Sequence, residues 1–226
     1  MTERQILALG GGGETDEQND RLARYLVGLS GKERPRVLFV PTATGDEPHG
    51  TVRFYARYGR IADTAHLLFF PWPPADARSL VLDQDVVFVG GGNTANMLAI
   101  WRAHGFDRIL REAWEKGVVL AGWSAGMICW FEAGVTDSFG PGLAGMRDGL
   151  GFLAGSACPH YDGEERRRPR YRELVDDGFP AGVAADDGVG LRFSGTELAE
   201  IVTVRPGAAA YRVDRGGETP LDGRPI

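Results

Sequence analysis

Short apolar runs closed by glycine or proline recur along this chain, and between them polar and apolar residues repeat at helical spacing. The pattern predicts strands over residues 5–9, 35–41, 65–70, 85–89 and 118–121. Helices are predicted around residues 19–27, 52–59, 95–101 and 106–116, the last with Leu110, Ala113 and Trp114 on one face and Gly117 as its stop. Strands that are apolar throughout and alternate with helices indicate a parallel sheet covered on both faces. The expected fold is therefore α/β, a three-layer sandwich with a mainly parallel sheet. Beyond residue 123 an apolar helix is expected through Trp130, followed by a glycine-rich loop over residues 134–155 and a basic helix over 166–175. Short strands are expected within 182–193, 198–204 and 209–213, the last two at antiparallel edges, and the tail beyond Asp214 reads as an exposed end. No repeat or linker divides the chain, so residues 1–226 are expected to form one domain.

Composition narrows the function classes. A chain of 226 residues with 43% hydrophobic content and a formal charge of -6 suits a soluble globular protein and argues against non-specific binding to nucleic acid. Residues 1–10 contain no long apolar signal core, and no segment is apolar enough to span a bilayer, so a cytoplasmic location without a membrane partner is expected. The two cysteines, Cys129 and Cys158, are too few for a disulfide scaffold and stand in no metal-ligand spacing. The run from Gly10 to Gly13 is a weak match to a dinucleotide-binding turn, and Glu14, Asp16 and Glu17 beside it would repel a pyrophosphate. The sequence leaves a homodimer open.

Candidate chemistry centres on Gly122-Trp123-Ser124-Ala125-Gly126, a G-x-S-x-G pattern directly after a buried strand. A serine on such a sharp strand-to-helix turn projects its hydroxyl from the carboxyl edge of the sheet, and the next N–H, that of Ala125, can face a developing oxyanion. A serine nucleophile needs a base. Of four histidines, His49 lies in a polar loop, His66 opens a strand, and His104 ends a helix. His160, in a loop following a short apolar run, is the candidate base, because active sites of α/β proteins collect beyond strand carboxyl ends. The base in turn needs an orienting carboxylate, for which Glu132, Asp137, Asp162 and Glu164 are candidates. Glu132 is eight residues past Ser124, about two helical turns, which would leave both on a similar face. A second oxyanion donor fits the run Gly90-Gly91-Gly92-Asn93-Thr94, where glycine permits close backbone approach. Asn93 and Thr94 would cap the following helix or touch substrate.

Gly90-Gly91-Gly92-Asn93-Thr94, Trp123-Ser124-Ala125-Gly126 and Cys158-Pro159-His160-Tyr161, in this order, resemble the peptidase E family of serine peptidases. Relatives of that family include cyanophycinase, and its fold is similar to class I glutamine amidotransferases. The resemblance implies cleavage of dipeptides with an N-terminal aspartate by Ser124 as nucleophile and His160 as base. Backbone N–H groups of Gly91 or Gly92 and of Ala125 would form the oxyanion hole, with no metal or cofactor. Asp137 resembles the family's acid in the loop after the nucleophile helix, whereas Ile128-Cys129-Trp130-Phe131-Glu132 resembles an offshoot that uses glutamate, so both stay open. Gly163-Glu164-Glu165-Arg166 resembles the family's aspartate-recognition segment and implicates Arg166 in substrate binding. A related amide hydrolase, acting for example on cyanophycin-type bonds, and a non-catalytic small-molecule binding protein are the alternatives. An α/β-hydrolase is disfavoured, since His160 follows Ser124 by only 36 residues.

Overall fold

The computed structural model describes residues 3–226; Met1 and Thr2 of the N-terminal segment lie outside the described residues. The first half alternates strands and helices, all expected except α3: β1 (Gln5–Leu9), α1 (Asp16–Gly28), β2 (Arg36–Val40), α2 (Pro48–Tyr58), β3 (Asp63–His66), α3 (Ala77–Leu82), β4 (Val86–Val89), α4 (Thr94–Ala103), α5 (Phe106–Glu115) and β5 (Val119–Trp123). The third strand lies earlier than predicted, and residues 67–70, although apolar, leave the sheet. Leu67 and Phe69 still enter the core from that segment, so their apolarity reflects burial and not strand pairing.

The second half departs further from the prediction. The helix after Ser124, α6 (Ala125–Ile128), is only one turn long, and the chain passes at once into β6 (Phe131–Thr136). The segment predicted as a glycine-rich loop carries β7 (Ala144–Met146) and the start of β8 (Leu153–Cys158). The basic helix is α7 (Arg167–Asp176), followed by β9 (Gly182–Ala185), β10 (Val189–Ser194), β11 (Glu197–Thr203), β12 (Ala210–Asp214), β13 (Gly217–Leu221) and β14 (Arg224–Pro225). The apolar run through Trp130 and Phe131 satisfies a strand as well as a helix, and pairing of Phe131 with Leu153 and Ala133 with Ser156 decides for the strand.

Two sheets result. The larger has the order β14-β11-β10-β1-β5-β4-β2-β3, with β1, β5, β4, β2 and β3 mutually parallel, β10 antiparallel to β1, and β11 antiparallel to β10. The smaller has the order β13-β12-β9-β8-β6-β7, in which β6, β8 and β9 are parallel. Helix α1 begins on a capping box: the Thr15 hydroxyl accepts from the Gln18 N–H, and the Gln18 side chain accepts from the Thr15 N–H. A continuous apolar cluster from Ile6 and Val89 through Trp130 and Phe131 to Val183 and Ala210 joins the two sheets, and a second cluster packs α1 and α2 on the other face of the larger one. No described helix is long and apolar enough to cross a membrane. The result is the mixed α/β architecture read from the pattern, with a second sheet that the pattern did not reveal.

Candidate active site

Ser124 sits between β5 and α6 with φ 55° and ψ -114°, a left-handed backbone that costs about 1–3 kcal/mol for a residue with a side chain. Its surroundings over-determine that conformation. The Ser124 N–H donates to the Leu9 carbonyl at 3.2 Å, and its own carbonyl accepts from Met127 and Ile128 at 2.9 and 3.0 Å. A Cβ at Gly122 would approach the Gly126 carbonyl oxygen at 2.6 Å, and one at Gly126 would overlap the Val89 carbonyl. The two flanking glycines are thus required by packing of the turn between β4 and α6. At the end of β4, a Cβ on Gly91 would lie 3.1 Å from the Ser124 Cβ, so this glycine lets its backbone run against the serine. Among the described residues neither the Gly91 nor the Ala125 N–H has an acceptor, which leaves both donors available at the serine.

His160 arrives from the other sheet. It follows β8, also at a left-handed φ of 51°, and its N–H donates to the Gly10 carbonyl at 3.2 Å. Leu9 and Gly10, consecutive at the carboxyl end of β1, therefore anchor the backbones of Ser124 and His160 respectively. Across from His160, its Nδ1 lies 2.6 Å from the Asp187 Oδ1, with both side chains about a quarter exposed. Donation of the Nδ1 proton to that carboxylate leaves Nε2 as the acceptor nitrogen. Asp187 follows β9, which is parallel to β8 with Cys158 opposite Ala184, so neighbouring strand ends deliver imidazole and carboxylate together. A Cβ at Gly11 or Gly163 would overlap the Asp187 carboxylate, so a side chain at either position would displace that carboxylate from where it stands. Arg205 secures the turn: its Nε donates to the Asp187 carbonyl at 3.1 Å, its Nη1 pairs with Glu14 at 2.9 Å, and its Nη2 pairs with Asp162. Asp162 also accepts from the Asp187 N–H at 3.0 Å.

Neither carboxylate implicated by the resemblance faces His160. Glu132, on β6 and not on a helix, alternates to the exposed face of the strand and accepts from the Gly155 N–H at 2.9 Å. Asp137 is exposed in the loop after β6, which packs on the start of α4 through Ser138. Of the other two candidates, Asp162 braces the Asp187 turn and Glu164 pairs with the buried Arg167 at 2.7 Å. Asp187 escaped the sequence reading although the rule that selected His160, position just beyond a strand, applied to Asp186-Asp187-Gly188 as well. Asn93 caps α4, accepting from the Asn96 N–H at 2.8 Å while its amide donates to the Ser138 carbonyl at 3.0 Å; Thr94 is buried. Asn93 is engaged in the helix start, the buried Thr94 hydroxyl has no hydrogen-bond partner among the described residues, and neither residue lines the cavity beside the serine. Gly92 has φ 135°, and a Cβ there would overlap the Ala43 carbonyl. Arg166 is exposed ahead of α7 and does not line the cavity beside Ser124. That cavity, of about 400 Å³, is lined by Gly90, Gly91 and Trp123 and by residues of β2, α1 and α2, among them Arg53. Burial pushes the Cys158 thiol up to about 12 and the Cys129 thiol well above its usual range. Neither is a thiolate near neutral pH, so the serine hydroxyl has no rival nucleophile among the cysteines. Among the described residues no group of His, Cys, Asp and Glu could hold a metal ion.

A serine on a strained elbow with free N–H donors beside it, and a carboxylate-held imidazole brought in at the end of β8 from the other sheet, suit a serine-type peptidase. Residues 6–201 match the model of peptidase family S51, and the chain belongs to that family. It is 50% identical over 213 residues, 93% of this chain and 92% of the relative, to an uncharacterized peptidase, YgaJ, of Bacillus subtilis strain 168. It is also 26% identical to a peptidase E of Shewanella denitrificans, over 71% of this chain and 72% of the relative. Two solved structures share the fold. One, a peptidase from an acI-B1 Actinobacterium, has a TM-score of 0.69 at 19% identity, covering 98% of this chain and 95% of that one. The other, a putative peptidase E of Listeria monocytogenes EGD-e, has a TM-score of 0.64 at 17% identity, covering 90% and 99%.

Proposed function

We propose that this peptidase hydrolyses short peptides through an acyl-enzyme on Ser124, with His160 as base and Asp187 as the orienting carboxylate. The observation that carries the reading is the shared anchor at the end of β1, where Leu9 holds the serine backbone and Gly10 holds that of a histidine whose Nδ1 faces Asp187. Nε2 of His160 takes the Ser124 hydroxyl proton as the oxygen attacks the scissile carbonyl carbon. Negative charge on the carbonyl oxygen is met by the N–H groups of Ala125 and Gly91, with Gly92 as the next donor along the same loop. The imidazolium returns its proton to the departing amine, water attacks the ester by the same route, and the serine is restored. An N-terminal aspartate is the finer substrate reading implied by the resemblance to peptidase E. It calls for a guanidinium at the acyl side chain, and Arg53, not Arg166, is the arginine of the two that lines the cavity beside the serine.

The test combines fluorophosphonate labelling, located by peptide mass spectrometry, with chromophore release from a panel of aminoacyl p-nitroanilides. Labelling at Ser124 and turnover abolished in Ser124→Ala are expected. Folded wild-type protein that does not label, or a Ser124→Ala variant that keeps its turnover, would overturn the mechanism.

A further inference from the structure

The cavity beside Ser124 lies over the carboxyl ends of β2 and β4 and against the inner face of α2. Its wall is a chain of aromatic rings. Phe39 stacks on Phe54 at 4.9 Å, Phe54 on Tyr58 at 4.8 Å, Tyr58 lies 5.6 Å from Phe88, and Phe88 meets Trp123 edge-on at 5.1 Å. The charged groups around this wall are already spoken for or face water. Arg57 pairs with Asp16 at 2.6 Å and Asp20 at 2.9 Å, while Arg53 is exposed. The Tyr58 hydroxyl has no hydrogen-bond partner among the described residues, and burial raises its pKa, so it stays a neutral phenol.

Strand order decides which half of a bound peptide faces this wall. In the larger sheet β5 lies between β1 and β4. His160 hangs from Gly10 at the end of β1, on one side of Ser124, whereas the cavity occupies the β4–β2 side. The departing amine must reach the imidazole to collect its proton. It therefore lies on the β1 side, and the residue that supplies the scissile carbonyl points its side chain toward the cavity.

We propose that this cavity is the pocket for that side chain and selects an aromatic or large aliphatic residue over aspartate. The inference rests on the reading of Ser124 as nucleophile. A carboxylate seated on these rings would exchange its hydration for the Tyr58 hydroxyl, a neutral donor, and for Arg53, an exposed guanidinium at which water competes, and so would recover little of what it gives up. A ring or branched aliphatic chain instead meets the offset and edge-on contacts that aromatic walls favour. A volume of about 400 Å³ lies within the range of preformed small-ligand pockets, roughly 300–1,000 Å³, and a methyl or carboxymethyl group would leave most of it empty.

The experiment measures kcat/KM for the p-nitroanilides of phenylalanine, leucine, alanine and aspartate with wild-type protein and a Gly50→Leu variant. Gly50 lines the cavity from α2, and a Cβ there would meet only the Phe39 ring, at 3.9 Å, so leucine extends into the cavity from a helical backbone that accepts it. Wild type is expected to prefer phenylalanine over alanine and aspartate by at least about tenfold, since a single methylene in an apolar pocket is worth roughly 10–200-fold. Gly50→Leu is expected to lower the phenylalanine-to-alanine ratio at least tenfold. A wild-type preference for aspartate or alanine, or an unchanged ratio in the folded variant, overturns the proposal. A calorimetric titration of Ser124→Ala with phenylalaninamide and with aspartic acid α-amide separates the pocket from the chemistry. Tighter binding of phenylalaninamide supports the pocket even if wild type fails to label with fluorophosphonate, in which case the nucleophile reading alone falls. Labelling at Ser124 with equal or tighter binding of the aspartyl amide leaves the nucleophile and removes the pocket.

Discussion

Asp187→Asn isolates the charge behind His160. The substitution keeps the shape of the side chain and an oxygen for the Nδ1 proton, and removes only the negative charge. In the proposed acyl transfer the imidazole becomes an imidazolium whose charge centre sits about 4 Å from the carboxylate, an interaction of roughly 4 kcal/mol at an effective dielectric of about 20. Side chains that are 24% and 29% exposed let water screen part of this, which leaves on the order of 3 kcal/mol. At about 1.4 kcal/mol per decade that is a loss of roughly 10²-fold in kcat, and a wrong tautomer would carry the loss toward 10⁴-fold. The assay is steady-state release of p-nitroaniline by wild type, Asp187→Asn, Glu132→Gln and Asp137→Asn, each checked for folding by circular dichroism. Glu132→Gln and Asp137→Asn are expected to stay within severalfold of wild type, because neither carboxylate meets His160. Near-wild-type turnover in a folded Asp187→Asn variant, or a comparable collapse in either of the other two, would refute the assignment.

Three other perturbations follow from the same contacts. Gly126→Ala places a Cβ onto the Val89 carbonyl, and should lower stability by about 1–3 kcal/mol or more, read as a drop in the denaturant midpoint; an unchanged midpoint would show that the elbow tolerates a side chain. Burial raises the Asp186 carboxyl against the opposing hydrogen bond from the Ala209 N–H and the charge of Arg168. The native state therefore holds this proton longer than the unfolded chain, and stability falls as pH rises from about 4 through the raised value. Asp186→Asn, which cannot ionise, should gain melting temperature relative to wild type as pH goes from 4 to 7, and a difference constant with pH would contradict the assignment. Finally, Cys129 and Cys158 are fully buried, so a thiol reagent such as dithiobis-nitrobenzoate should modify them only on unfolding; rapid modification of the native protein would place a thiol at the surface.

Local pattern alone determined much of this protein. Apolar runs set β1, β2, β4 and β5, helical spacing set α1, α4 and α5, and Gly122, Ser124 and Gly126 placed the elbow, because each depends on residues within one turn of one another. His160 was legible for a related reason: it stands just past a short apolar run, where strand ends open onto a site. The helix predicted through Trp130 failed because an apolar stretch of that length suits either period, and a partner strand, β8, decided the outcome. Glu132 changed with it, from a helix face two turns from the serine to the outer face of β6. Which carboxylate faces His160 likewise depends on register: β8 and β9 end side by side, so Asp187, distant in sequence, lies 2.6 Å from Nδ1. The aromatic cavity has the same origin, since Phe39, Phe54, Tyr58, Phe88 and Trp123 come from four separate elements and meet only when the sheet is assembled. Sequence neighbours specify a strand, a turn or a cap. Which side chains face one another across strand ends depends on pairings between distant segments, and these exist only in the folded chain.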